Sequence, residues 1–325
     1  MNKEGSYSSC GLVPNFEVHR ALISDEQTQG KFRRAIRSVV RPGDVVLDLG
    51  TGSGIHAVFA CQAGAKRVYA IESAVIIELA KGLVKANGYS DRVRFIRGVS
   101  HQVKLPEKVD VIINNMGFPN VARNLSDARR FLKKTGKLIP CAIKFSFVPV
   151  DYGESYERKI SFWDAKHYGL KFDFLRKYAV NQPQPAYFEK DDFLSAPQQL
   201  MTIDLSLPLK SYLSFEAIFK MNRGGLVHGL GSWYSFKLSD TIALSPKPPL
   251  ILQRSIWFHH FFPFSTPVSV KKGDPLKIGA SMLLGASSSL DQIWKWSFEI
   301  GGRRVTQSNF NSVPFSKEFS TSDRR

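Results

Sequence analysis

Gly50, Gly52 and Gly54 follow a short apolar run, VVLDL, whose fourth residue is Asp48, and Glu72 lies eighteen positions beyond the last glycine. Glycine at such positions admits positive φ and removes the Cβ atoms that would hold a ligand off the backbone. Glu72 closes a second apolar run, RVYAIE. An ionised carboxylate placed there can accept hydrogen bonds from both hydroxyls of a ribose. The spacing is G-x-G-x-G rather than the dinucleotide form G-x-G-x-x-G. A dinucleotide seats its pyrophosphate on a helix N-terminus. S-adenosyl-L-methionine has no phosphate and presents an ammonium, a carboxylate and a sulfonium, a cargo suited to glycine-lined backbone beside carboxylates. A tight strand-to-helix turn gives the same glycines for structural reasons alone, and it is the pairing with Asp48 and Glu72 that favours S-adenosyl-L-methionine as cofactor.

Positioning these residues requires strands that end at the glycines and at Glu72. From 45 to 140 strand-length apolar runs alternate with helix-like stretches: VVLDL, residues 53–64, RVYAI, residues 74–87, VRFIR, VDVIIN at 109–114, and a polar helix near 120–133. This alternation predicts an α/β unit with a parallel sheet, whose ligands bind beyond the strand C-termini. The loops after Leu49, Ile71, Arg97 and Asn114 should therefore surround the cofactor. After Pro140 the pattern becomes aromatic and β-branched, as in IKFSFVPV, QLMTIDLSL, YLSFEAIFKM, SWYSFKL and WKWSFEI, which predicts antiparallel strands. A helical insertion is expected at about 152–178. The expected organisation is a Rossmann-like domain at 1–140, an antiparallel domain at 141–315 and a flexible tail at 316–325.

Length and composition fit this division. The 325 residues are 43% hydrophobic, enough for two cores, and no segment approaches the eighteen apolar residues of a membrane span. No basic start precedes an apolar run, so a soluble, unsecreted protein is expected. Cys10, Cys61 and Cys141 are odd in number and far apart, which disfavours a disulfide framework or a Cys-based metal site and fits a reducing cytoplasm. No cluster of His, Cys and carboxylates has metal-ligand spacing, and no metal is expected. The net charge is +17, of which +10 falls in residues 1–140. Arginine and lysine clusters at 33–41, 92–97 and 129–137 would suit RNA or an anionic metabolite. Without interleaved aromatic rings, solvated surface is favoured over nucleic acid. His228, His259 and His260 lie in strand-like runs where packing histidines are commoner than catalytic ones.

With these residues in view, the sequence resembles the protein arginine methyltransferase family: a class I methyltransferase domain followed by a β-barrel. VLDLGTGSGIHAVFACQAGAKRVYAIE is similar to the family's first motif through its ribose-binding acid. NFEVHRALISDE resembles the N-terminal helix that covers the cofactor, which assigns that role to Phe16 and His19. YGLKFDFLRKYAV resembles part of a dimerisation arm, and VSVKKGDPL a barrel strand and turn. The resemblance implies a homodimer and a cofactor pocket formed by Phe16, His19, Asp48, Gly50, Gly52, Gly54, Glu72, Ser100 and His101.

Four departures stand against the family pattern. Asn114 and Asn115 lie near the first of two glutamates that grip the substrate guanidinium, and no acid occurs from Asn114 through Ser126. Ser255 and Ile256 precede Trp257 where the family has threonine and histidine. His101 replaces a glutamate that contacts the adenine amino group, and Thr28 an arginine that holds the cofactor carboxylate. A buried guanidinium without carboxylates is left with five donors and a full charge unsatisfied. Asparagines can instead exchange hydrogen bonds with a neutral amine, amide or hydroxyl, which makes Asn114 and Asn115 the candidate acceptor-pocket residues. The leading expectation is a methyltransferase acting on a nitrogen or oxygen of an acceptor other than peptidyl arginine, such as a small metabolite. The alternatives are a protein arginine methyltransferase supplied with acids from elsewhere, Glu154, Glu157 or a partner subunit among them, and a silent cofactor-binding scaffold for an acidic partner.

Overall fold

Glu26 begins a helix because Asp25 caps it: one carboxylate oxygen accepts from Thr28 N at 3.0 Å and the other from Thr28 Oγ1 at 2.7 Å. This helix, α2 (Glu26–Val39), follows α1 (Phe16–Ser24). The computed structural model describes residues 16–246, 259–284, 292–300 and 302–309. Cys10, Ser255, Ile256, Trp257 and the expected tail at 316–325 lie outside the described residues.

Next come β1 (Val45–Leu49), α3 (Ile55–Gln62), β2 (Arg67–Glu72), α4 (Ile77–Ala86), β3 (Val93–Arg97), β4 (Val109–Ile113), α5 (Asn120–Ala128) and β5 (Leu132–Ile139). The five strands are parallel in the order β3-β2-β1-β4-β5. Central β1 is buried at every position, which is why VVLDL reads as a continuous apolar run rather than an alternating one. The chain winds outward from β1 to β3 and then returns to place β4 on the other side of β1. That reversal opens a crevice at the C-terminal ends of β1 and β4, where ligands of such sheets bind.

The polar helix expected near 120–133 stops at Ala128, a 3₁₀ turn takes Arg129–Phe131, and Leu132 starts a strand. LKKTGKLI escaped recognition because β5 is an edge strand with β4 as its one neighbour. Its exposed lysines carry no apolar alternation; Leu138 and Ile139 are buried in the core, and half-buried Leu132 packs against it.

The second half contains β6 (Ala142–Val150), an arm, β9 (Gln184–Ala186), β10 (Gln198–Asp204), β11 (Tyr212–Lys220), β12 (Gly225–Lys237), β13 (Ala243–Leu244), β14 (His259–Val270), β15 (Pro275–Leu284), β16 (Gln292–Ile300) and β17 (Arg303–Ser308). One sheet runs β10-β6-β12-β14-β9 with β13 beside β12, and the other β11-β15-β16-β17. All pairings in both are antiparallel. The sheets face one another through aromatic pairs: Phe264 of β14 stacks on Phe298 of β16 at 3.9 Å, and Trp296 Nε1 donates to Pro263 O at 3.1 Å. One buried apolar cluster extends from Phe32 and the parallel sheet through to Phe298, so the two halves share a core across 140/141.

The arm is less helical than the sequence suggests. It comprises α6 (Gly153–Lys159), a 3₁₀ turn at Ser161–Asp164, a two-residue hairpin of β7 (Lys166–His167) and β8 (Leu170–Lys171), a further turn, and α7 (Arg176–Ala179). Its root is fixed by Tyr156, whose hydroxyl donates to Phe264 O at 2.8 Å, while Phe162, Tyr168, Leu170 and Phe174 are exposed.

Candidate functional site

Gly50 N and Thr51 N both donate to Ile71 O at 2.9 Å, which turns the chain sharply at the end of β1 and brings the glycine loop beside Glu72. Glu72 then accepts from Gly52 N at 3.1 Å through one oxygen and from Ala74 N at 3.0 Å through the other. Gly52 has φ +53, and a Cβ there would stand 3.1 Å from His19 Cε1, so glycine lets α1 close over the loop. These groups border a cavity of about 530 Å³, a volume suited to a nucleoside-sized ligand.

The structure brings His19, Gly50, Gly52, Glu72, Ser100, His101 and Asn115 to the wall of this cavity. Phe16, Asp48, Gly54 and Asn114 are not on the wall. Phe16 lies on α1 and is 63% exposed. Asp48 is buried beneath the loop, where Thr51 Oγ1 donates to it at 2.5 Å. Burial pushes its carboxyl up to about 7, against the lowering effect of the Thr51 and Ala57 hydrogen bonds. Asp48 thus braces the glycine loop from below. Gly54 begins α3 at φ +84, and a Cβ would come within 2.9 Å of Ala80 Cβ; its glycine serves the contact between α3 and α4. Asn114 is fully buried. Its Nδ2 donates to Leu49 O at 2.8 Å and its Oδ1 accepts from Met116 N at 3.2 Å, so the side chain ties β4 to β1.

Asn115 differs from its neighbour. It borders the cavity, but its Oδ1 is closed off from solvent and accepts no hydrogen bond from the described residues. Met116, Asn120 and Asn124 continue that wall, and Asn124 Nδ2 lies 2.9 Å from Met116 Sδ. Glu72 is the carboxylate of the lining. Thr28 is engaged by Asp25, and Gln29, one position on, reaches the cavity instead.

Sequence reasoning missed Gln29 and His56. Gln29 Nε2 donates to Leu22 O at 2.9 Å, and its Oε1 lies 3.1 Å from His56 Nε2, so one amide joins α1, α2 and α3. Burial pushes His56 down to about 4, which keeps its ring neutral and able to donate Nε2–H to that amide oxygen. Neither residue belongs to a spacing motif, and only the helix packing unites them. Burial also lowers His19, with Glu72 opposing. His259 is buried, stacks on Phe188, accepts from Phe188 N at 3.0 Å and faces Pro246 O at 2.8 Å, a packing role. Among the described residues no group of three His, Cys, Asp or Glu side chains could hold a metal, and no helix is long and apolar enough to cross a membrane.

The loop between a buried parallel strand and Glu72, capped by a histidine helix and attached to antiparallel sheets, finds its counterpart in known proteins. Residues 146–301 match the family model described as arginine methyltransferase oligomerization subdomain, and residues 28–143 match ribosomal protein L11 methyltransferase. Protein arginine N-methyltransferase 1 of Chlamydomonas reinhardtii is 32% identical over 231 residues, 68% of this chain and 67% of its own length. The chain belongs to the protein arginine methyltransferase family. It is a class I methyltransferase with S-adenosylmethionine as cofactor. Protein arginine N-methyltransferase 2 of Xenopus tropicalis is 29% identical over 309 residues, 88% of this chain and 69% of the relative. For the probable protein arginine N-methyltransferase 6 of Arabidopsis thaliana, 31% identical, the match spans 54% of its length. The fold is shared with the Trypanosoma brucei PRMT1 enzyme–prozyme heterotetrameric complex with AdoHcy, at TM-score 0.81 and 20% identity over 90% of this chain and 98% of the other. It is also shared with protein arginine methyltransferase 10 of Arabidopsis thaliana, at TM-score 0.73 and 23% identity over 89% and 95%.

The cavity fits the family's cofactor in size and donor set. Glu72 retains lone pairs for ribose hydroxyls, and the glycine loop leaves backbone accessible.

Proposed function

We propose that this chain transfers a methyl group to a nitrogen or oxygen of an acceptor that enters the site uncharged, and that the acceptor is not peptidyl arginine. The observation that carries this reading is the wall formed by Asn115, Met116, Asn120 and Asn124, which offers amides and a thioether where a guanidinium requires carboxylates. The bound cofactor supplies an electrophilic methyl on sulfur. Glu72 holds the ribose, His19 closes the loop side, and the amides of Asn120 and Asn124 on the wall meet the acceptor's polar atoms so that a lone pair faces the methyl. Much of the acceleration then comes from alignment rather than from charge. Ser100 and His101 border the adenine end. Phe16, Asp48 and Gly54 support the pocket through the covering helix and the loop, and Asn114 sets the strand from which Asn115 projects. A homodimer built through the arm, in the cytoplasm, belongs to the same reading.

A second reading is favoured by the relatives, which carry the name protein arginine N-methyltransferase. On it, carboxylates reach the pocket from another subunit. Mass spectrometry of arginine-rich peptides incubated with the chain and cofactor separates the two. The proposal expects no methylarginine, with label from radioactive cofactor entering the small-molecule fraction of a host extract. Efficient methylarginine formation by the chain alone would overturn it.

A further inference from the structure

A second cavity, of about 580 Å³, shares no lining residue with the cofactor cavity and opens where β5 meets the turn between β12 and β13. It is lined by Arg129 at the end of α5, by Lys133, Lys134 and Lys137 of β5, and by Ser239 and Thr241 of the turn. The charges are unequally matched. Lys133 pairs with Asp110 at 2.7 Å, and Asp240, the acid of the lining, pairs with Lys237 at 3.1 Å. Among the described residues Arg129, Lys134 and Lys137 have no carboxylate within ion-pair distance. Arg129 Nη1 and Ser239 Oγ are closed off from solvent and have no hydrogen-bond partner. With Asp240 already paired, Arg129, Lys134 and Lys137 leave the cavity an excess of positive charge that suits a polyanion.

We propose that this cavity binds a small oligophosphate anion, recognised through its phosphate oxygens. A guanidinium offers a planar fork to such oxygens, and lysines add point charges. The lining contains no aromatic ring, so a nucleobase would find no stacking partner. The volume lies within the usual range for small-ligand sites and can admit two or three linked phosphates.

The probe is inorganic tripolyphosphate, titrated calorimetrically into the full chain in 0.15 M salt without divalent cations. Saturable one-to-one binding is expected, weakened about tenfold or more in Arg129→Gln and in Lys134→Gln through loss of a charge-assisted contact. Lys85→Gln, at an exposed position on remote α4, should bind as wild type. Cofactor binding by each variant reports folding, and exposed Lys137→Gln replaces Arg129→Gln should the latter fail to fold. ATP separates the two sources of the same chemistry, and affinity equal to tripolyphosphate supports recognition by oxygens alone. ATP binding without tripolyphosphate binding would overturn the proposal. So would the absence of saturation, or equal loss in Lys85→Gln, which would show diffuse attraction to a chain of charge +17.

Discussion

Glu72 does two things at once. Its two oxygens fix Gly52 N and Ala74 N, and the carboxylate faces the cavity. Glu72→Ala removes charge-assisted hydrogen bonds worth about 1.5 to 3 kcal/mol. Cofactor binding measured by calorimetry should therefore weaken roughly 10-fold to 150-fold. Affinity equal to wild type would remove Glu72 from the ribose site. Asp48 and Asn114 illustrate a different lesson: each is adjacent in sequence to a residue on the wall, yet both direct their polar atoms into the scaffold. The sequence marks the neighbourhood of the site well. It does not determine whether a given amide or carboxylate faces ligand or backbone.

Among the elements, α1 depends on contacts outside itself. It contains no fully buried residue, and Gln29 of α2 holds it through Leu22 O while also meeting His56 of α3. Gln29→Ala strips both bonds and leaves a buried ring nitrogen without a partner, a loss of about 1 to 3 kcal/mol in stability. Hydrogen exchange should accelerate in α1 first, and cofactor affinity should fall because His19 rides on that helix. Unchanged exchange in α1 would show that other contacts hold it. β5 carries no apolar run because its lysines face solvent along an edge, whereas buried β1 and β4 read as apolar runs.

The arm presents several large apolar side chains to solvent. Tyr168 is 99% exposed, and Phe162, Leu170 and Phe174 share the surface. An apolar patch of this kind marks an interface, and light scattering at micromolar concentration should give about twice 36.5 kDa. Removal of 155–175 would take Tyr156 out of the core, so Tyr168→Asp with Leu170→Asp is the cleaner variant. It should yield a soluble monomer, and a persistent dimer would locate the contact elsewhere.

Acid lability should also be a property of the whole fold. Burial pushes His56, His259 and His260 down to about 4 and Asp48 up to about 7. The unfolded chain takes up three protons at these histidines as pH falls below their ordinary value of 6.5, and the folded chain resists them until about pH 4. Stability from the histidines is therefore present above 6.5 and lost as pH falls toward 4. Asp48 acts oppositely, since its stability is present below its ordinary 3.8 and lost as pH rises through 7. Between those limits two net protons remain, a slope of about 2.7 kcal/mol per pH unit. Urea midpoints at pH 6.5 and 4.5 should fall accordingly, and His259→Gln should flatten the profile. A flat wild-type profile would refute this account.

The alternation of apolar runs determined the parallel unit, and Asp48, the glycines and Glu72 determined a cofactor loop at its edge, because strand burial and backbone close approach leave local marks in the chain. The amides' directions, the Gln29–His56 link and the basic cavity beside β5 were decided only in three dimensions. Each joins residues from elements distant in sequence, and no local propensity or spacing encodes which face of a side chain meets another.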